Sequence, residues 1–150
     1  MADVALDALR AGASQLEPGC RRNLLPSLPR GRPVVVDVWI DGSLGFALVV
    51  HRRGDGLVAE ELYYSLQNDN GDWMSCEHVT GAFLGLASQM PTVPRSSPGG
   101  SPLAAVSESE ALLYTGRSEA EDGYEPVRAL TVLIGEELIA SRSRTMRKGF

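Results

Sequence analysis

The sequence has few of the residues from which catalytic and metal sites are usually built. Its 150 residues include two cysteines, Cys20 and Cys76, and two histidines, His51 and His78. Two cysteines are too few for a disulfide framework, so we expect reduced thiols. A structural zinc site would need all four residues, yet their spacing contains no C-x-x-C or H-x₃-H pair. We therefore expect neither a metal nor a cofactor.

Long apolar runs are also absent. No run approaches the ~20 residues that a membrane helix needs. The first twelve residues, MADVALDALRAG, carry acidic side chains early and lack the apolar core of a signal peptide. These features predict a cytoplasmic protein that does not associate with a membrane.

Basic side chains are fewer than acidic ones, with 14 lysines and arginines against 19 aspartates and glutamates. The formal net charge is −5, although residues 141–150 carry four basic side chains and no acidic one. Because phosphate neutralisation needs a broad basic surface, the acidic body argues against nucleic-acid binding. The short basic segment does not change that expectation.

Several sequence motifs of common enzymes are missing as well. The chain contains no G-x-G-x-x-G fingerprint, no Walker loop, no G-x-S-x-G elbow and no H-E-x-x-H pair. Dinucleotide, nucleotide, hydrolase and metalloprotease chemistry are therefore not indicated, and an enzyme is less expected than a binding protein.

The sequence does contain a series of short apolar runs separated by turn residues. Three of them, at 34–40, 44–51 and 57–66, alternate with Asp-Gly and Gly-rich turns about every ten residues, which predicts an antiparallel meander. In the first run, period-two alternation places Val34, Val36, Val38 and Ile40 on one face and Trp39 on the other.

The remaining chain extends this pattern. Residues 2–11 predict a short amphipathic helix that ends at Gly12. Further strands are predicted at 73–79, 103–106, 111–114, 130–134 and 137–141, with loops at 91–102 and 115–126. We expect a mainly β single domain over residues 1–150, an antiparallel β-sandwich or partly closed barrel with a short N-terminal helix and a mobile Pro/Gly/Ser loop at about 91–102. The alternative is an α+β domain with a single sheet.

One small group of residues offers a catalytic hypothesis. If residues 73–79 form a strand, Cys76 and His78 share a face, and His51 ends a strand two runs earlier. A thiol within reach of an imidazole can become a thiolate nucleophile. The competing interpretation is that Cys76 is a small buried hydrophobe and the histidines are edge residues, because free cysteines are often buried.

The aromatic residues suggest binding instead. Trp39, Tyr63, Tyr64 and Trp73 could form a patch on the mixed face of the meander, and tryptophan and tyrosine are frequent anchors of interfaces. The leading hypothesis is a non-catalytic interaction module that binds a protein partner or a second copy of itself. Alternatives are a small cysteine-dependent enzyme, and a small-molecule-binding sandwich or barrel with a pocket of several hundred Å³.

Overall fold

The structure is a computed structural model that describes residues 1–12, 28–86, 103–117, 122–134 and 137–143. Cys20 and the predicted loop at 91–102 lie outside the described residues. The described elements, in chain order, are α1 (Ala2–Ala11), β1 (Val34–Asp41), β2 (Leu44–Arg52), β3 (Leu57–Leu66), β4 (Glu77–Leu86), β5 (Leu103–Tyr114), β6 (Tyr124–Ile134) and β7 (Glu137–Ser143).

The strands form two antiparallel sheets. Sheet 1 has the order β1-β2-β3-β4, and sheet 2 has the order β5-β6-β7. Every neighbouring pair follows the chain, as a meander of hairpins does. The prediction of a mainly β fold with an N-terminal helix is confirmed, and the alternative of a single sheet is wrong. The described strands do not close into a barrel.

The core between the sheets is built mainly by alternate residues of β2 and β3. Leu44, Phe46, Leu48 and Val50 all point to this side of sheet 1, which we call the core face. Leu113 of β5 completes the cluster from sheet 2 and is buried. Each such side chain removed from water contributes about 1.5–3 kcal/mol, so this layer is the main source of stability.

The opposite side of sheet 1, the helix face, is covered by α1. Ala5, Ala8 and Leu9 of the helix are buried there against small residues of β2. Gly12 ends the helix in the left-handed conformation (φ 66°), as predicted, and its N–H donates to the carbonyl of Leu9. A ten-residue helix is marginal alone, so this packing stabilises it. No described helix has the length and apolar composition to cross a bilayer.

One irregularity in β1 overturns the predicted face assignment. The pairing with β2 slips between Val35 and Asp37, which leaves Val36 in a β-bulge. An extra residue reverses the alternation that follows it. Trp39 therefore packs on the core face, and Val38 packs on the helix face beneath α1. The predicted single face of residues 34–40 is wrong beyond Val36.

The later strands are longer than the sequence predicted. The expected strand from Trp73 begins only at Glu77 and runs on to Leu86, and Trp73 itself makes an isolated bridge with Gln67. β5 joins the two predicted short strands, because residues 107–110 also pair with β6. Cross-strand pairing thus extends strands through sequence that is only weakly strand-forming.

The two sheets are linked at one end by an ion pair. The Nη2 atom of Arg117 donates to the carbonyl oxygen of Asp41 and to its carboxylate Oδ2, both at 2.9 Å. Arg117 follows β5, and Asp41 ends β1. This contact fixes the end of sheet 2 over the β1–β2 hairpin and helps to set the spacing between the sheets.

Candidate functional site: a cleft between the two sheets

A cleft of about 560 Å³ opens where β4, an edge strand of sheet 1, meets β5, an edge strand of sheet 2. β4 and β5 provide most of its walls. The residues that line it are Tyr64, Leu66, Met74, Glu77, His78, Val79, Ala111, Leu112, Leu113, Tyr114 and Tyr124.

A row of directly paired residues crosses sheet 1 and ends at the cleft. Trp39 pairs with Phe46, Phe46 with Tyr64, and Tyr64 with Glu77. The Trp39 and Phe46 rings stack with centroids 5.3 Å apart, and the Phe46 and Tyr64 rings follow at 6.3 Å. The Tyr64 hydroxyl donates to Glu77 Oε2 at 3.1 Å. The buried aromatic row therefore orients a carboxylate at the open edge.

The chemistry of Tyr64 in this row is that of a hydrogen-bond donor. Burial, and then the adjacent carboxylate of Glu77, raise the pKa of Tyr64 to about 12. Both causes disfavour the phenolate form. Tyr64 therefore keeps its proton at neutral pH and continues to donate it to Glu77.

The facing wall carries a second pair of tyrosines. Tyr114 ends β5, Tyr124 begins β6, and their rings meet edge to face with centroids 5.3 Å apart. Tyr114 also packs closely on Gly123, where a Cβ atom would lie 2.6 Å from the ring. Gly123 has φ +79°, so both its backbone and its lack of a side chain are needed to hold this ring.

The rim of the cleft is unusually apolar for a surface. Met74, Leu112, Tyr114 and Tyr124 are 46%, 67%, 47% and 47% exposed. These are four of the seven large hydrophobic residues that are exposed in the described part of the chain. Scattered exposed hydrophobics need no explanation, but a cluster of them around one concave site is typical of an interaction surface.

The charge of the cleft is also one-sided. Glu77 is the acidic residue in the lining and is exposed, and His78 is a titratable neighbour on the same strand. No lysine or arginine is found among the described residues that line the cleft. At neutral pH the site therefore presents a carboxylate within a largely aromatic and aliphatic surface.

The predicted catalytic residues lie mainly on the helix face. Cys76 precedes β4 and packs against the cluster beneath α1. Burial raises the pKa of the Cys76 thiol to about 11, with a smaller lowering by Arg10 and a smaller raising by Asp3. A nucleophilic cysteine needs the opposite shift. Catalytic use of Cys76, His51 and His78 stays a prediction, and the environment of the thiol argues against it.

The two histidines of the catalytic hypothesis, His51 and His78, lie near Glu61 instead. His51 Nε2 lies 3.0 Å from Glu61 Oε1, the Tyr63 hydroxyl donates to Glu61 Oε2, and the ring of His78 packs edge-on against Tyr63 at 5.4 Å. Burial acts to raise the pKa of Glu61, but the hydrogen bonds from Tyr63 and His51 and the charges of both histidines outweigh it, so the pKa is lowered. This group is a compact, partly buried polar network on the helix face of sheet 1.

The four aromatic residues predicted to form one patch do not share a face. Trp39 and Tyr64 lie on the core face, whereas Tyr63 and Trp73 lie on the helix face. Of the four, Tyr64 alone contributes to the lining of the cleft. A binding role for the other three stays a prediction.

Sequence reasoning missed most of the cleft. Tyr114 ends the predicted strand at 111–114, but Tyr124 lies inside the predicted loop at 115–126, so the sequence analysis did not predict that the two tyrosines pair across neighbouring strands. Nothing in the sequence indicates that β4 and β5 become neighbours, because that contact is made between two sheets rather than within a hairpin.

The described residues contain no group of three or more histidine, cysteine, aspartate or glutamate side chains placed to hold a metal ion. No protein-family model, no curated protein and no solved structure matches the chain. The geometry of the cleft is therefore the feature of the molecule that points to a function.

Proposed function

We propose that the chain is a non-catalytic binding module that takes a segment of a partner protein into the cleft between its two sheets. The observation that carries this proposal is the cluster of exposed apolar side chains around the cleft. Interfaces use tyrosine, methionine and other large side chains as anchors, because these bury much area at a low entropic cost.

The walls of the cleft support binding by a rigid surface. Tyr64 is held by the aromatic row behind it, and Tyr114 is held by Tyr124 and Gly123. Side chains that are already fixed lose little freedom when a partner binds, so more of the contact energy remains as affinity. Met74, by contrast, is unbranched and can adapt to the shape of what enters.

The exposure of the rim favours a peptide segment over a buried small molecule. Small-molecule sites usually enclose 70–90% of the ligand surface. Here Leu112 is 67% exposed and both rim tyrosines are about half exposed, so an occupant is covered on one side only. An extended segment that continues beyond the cleft fits such a site. We also propose a cytoplasmic location, since the sequence favours reduced thiols.

Selection from a random peptide display library against the immobilised protein tests the proposal. We expect the selected peptides to share a short motif and to bind Leu112→Ala about tenfold more weakly, because Leu112 is the most exposed apolar residue of the rim. Phe83→Ala is the matched control, because Phe83 is 64% exposed on β4 and does not line the cleft.

Two results contradict the proposal. One is a selection that yields no shared motif, and the other is a set of peptides that bind both alanine variants as well as the unmodified protein. Sedimentation equilibrium of the protein alone addresses the competing partner, a second copy of the chain. Association that Leu112→Ala abolishes and Phe83→Ala preserves would replace the peptide with a second copy as the occupant.

A further inference from the structure

We infer that the segment bound in the cleft carries a cationic side chain, lysine or arginine, that enters beside Glu77. The inference rests on the proposed function and adds the chemical class of the ligand. It follows from the position of Glu77, from the rings around it and from the absence of basic residues in the described lining.

Glu77 lies at the end of the aromatic row of sheet 1, where that row meets solvent. It is exposed at the start of an edge strand, and within the described residues its hydrogen-bond donor is the Tyr64 hydroxyl, at Oε2. That bond leaves the carboxylate with further acceptor capacity, since an ionised carboxylate offers about four lone-pair positions. A partner that donates from an ammonium or guanidinium group can use them.

The aromatic walls favour the same class of ligand. Tyr64, Tyr114 and Tyr124 all line the cleft with Glu77. Ring faces attract cations, and a carboxylate next to aromatic rings strengthens that preference. The aliphatic stem of a lysine or arginine would pack on the apolar rim while its charged end reaches the carboxylate, as such side chains commonly do at interfaces.

The charge of the lining also disfavours the opposite ligand. With Glu77 present and no described basic residue in the lining, an acidic segment would meet repulsion without a compensating ion pair. His78 also lines the cleft and adds a positive charge only when it is protonated. The carboxylate of Glu77 therefore favours a cationic ligand over an anionic one.

Titration of the ¹⁵N-labelled protein, followed by NMR, tests the inference with two small probes. n-Butylguanidinium is the cation, and n-butylurea is its neutral analogue of nearly the same shape. We expect the cation to perturb the amides of Glu77, Tyr114 and Tyr124 and to bind about five- to tenfold more tightly than the urea, from one exposed ion pair and one cation–π contact.

The variants Glu77→Gln and Glu110→Gln provide the internal comparison. Glutamine can still accept the Tyr64 hydrogen bond, so Glu77→Gln removes the charge and keeps the shape. We expect it to bring the ratio of the two affinities close to one. Glu110 is exposed on β5 and does not line the cleft, so the same change there should leave the ratio unaltered.

Different results of this experiment would contradict the inference alone or the proposed function as well. Equal binding of both probes to the unmodified protein overturns the choice of a cation and leaves the binding module intact. A ratio that survives in Glu77→Gln also overturns the inference, because another group then selects the charge. If neither probe perturbs the cleft residues at tens of millimolar, the cleft is not a binding site and both proposals fail.

Discussion

Two neighbouring tyrosines on β3 make the same contact on opposite sides of sheet 1. Tyr63 donates its hydroxyl to Glu61 on the helix face, and Tyr64 donates to Glu77 on the core face. Both phenols have a pKa raised to about 12, with burial as the largest cause in each case. The two pairs are chemically alike and differ in what surrounds the carboxylate.

Glu61 is enclosed by its partners. His51 contacts one carboxylate oxygen and Tyr63 the other, and the side chain is 21% exposed. Glu77 has Tyr64 behind it and open cleft in front, and it is exposed. The difference shows how one strand can use the same pair of residues for stability on one face and for recognition on the other, depending on whether a carboxylate is surrounded.

The largest expected change in stability comes from Phe46→Ala. Phe46 is 1% exposed and lies between Trp39 and Tyr64 in the row that supports the cleft. Removing a buried phenylalanine ring costs about 3–5 kcal/mol through lost burial and the cavity left behind. Urea denaturation followed by tryptophan fluorescence measures the loss.

Phe83→Ala is the control for Phe46→Ala, because Phe83 is 64% exposed and the guanidinium of Arg53 lies over its ring, 5.1 Å from the centroid. We expect it to cost less than about 1 kcal/mol. If the two variants were equally stable, the aromatic row would not be the support that we infer, and the orientation of Glu77 would need another cause.

A smaller loss is expected from Gly45→Ala, which tests the cover of the helix face. A Cβ atom at Gly45 would lie 2.7 Å from Leu9 Cδ2 and from Trp73 Cη2, so the helix or the indole must move. Overpacking of this kind costs about 1–3 kcal/mol. Gly54→Ala is the matched control, since no atom lies within 4 Å of its added Cβ.

In Gly45→Ala, hydrogen exchange distinguishes local unfolding of α1 from global unfolding of the protein. We expect hydrogen exchange to rise first in residues 5–9, while the amides of β2 and β3 remain protected. Uniform loss of protection across sheet 1 would mean that α1 and the sheet unfold as one unit, so the helix would be part of the core rather than a cover.

The direct test of the Tyr–Glu comparison pairs Glu61→Gln with Glu77→Gln. We expect Glu61→Gln to lose about 1–3 kcal/mol, since its charge accepts hydrogen bonds in a partly buried place. Glu77→Gln should change stability by less than about 0.5 kcal/mol, because it is exposed. Chemical denaturation at pH 7 measures both, and equal losses would contradict the different roles.

The change in the free energy of unfolding at acid pH provides a second measure of what Glu61 contributes. Its pKa is lower in the folded state than the ordinary 4.5, so its contribution is present above about pH 4.5 and is lost as the pH falls through the folded pKa. The difference between the unmodified protein and Glu61→Gln should therefore shrink below pH 4.5. A difference that does not shrink as the pH falls below 4.5 would exclude the ionised carboxylate as its cause.

Local sequence was enough to predict the first three strands, because alternation and Asp-Gly turns act within one hairpin. It could not predict the bulge at Val36, where one unpaired residue moves Trp39 to the other face. The adjacent positions of Tyr63 and Tyr64 already imply opposite faces of a strand. The predicted patch that contained both was therefore in conflict with the alternation of β3.

The cleft was beyond sequence reasoning for a different reason. Tyr64 and Tyr114 are fifty residues apart, and they line the same cleft only because of how sheet 2 is placed over sheet 1. Hydrophobic periodicity indicates which face of a strand is buried but not which other strand buries it. The contact between Arg117 and Asp41, which links the sheets, likewise joins the end of β1 to a residue that follows β5.

A small change in stability is expected for Cys76, the residue on which the catalytic hypothesis depended. Cys76→Ala should cost less than about 1 kcal/mol, because the side chain is only partly buried. Its cost in stability should shrink as the pH rises above about 9. The thiol ionises near pH 11 in the folded state and near 9 otherwise, so stability falls as the pH rises through that interval, and Cys76→Ala removes this part of the decline.

Alkylation by iodoacetamide in a Cys20→Ala background measures the same property of Cys76 as a rate. Because burial raises the pKa of the Cys76 thiol from 9 to about 11, its thiolate fraction at neutral pH is about 100-fold lower, and alkylation should slow to match. A denatured sample serves as the reference for an ordinary thiol. A folded thiol that reacts faster than this reference would indicate activation by His51 or His78, and the helix face rather than the cleft would then become the place to look for chemistry.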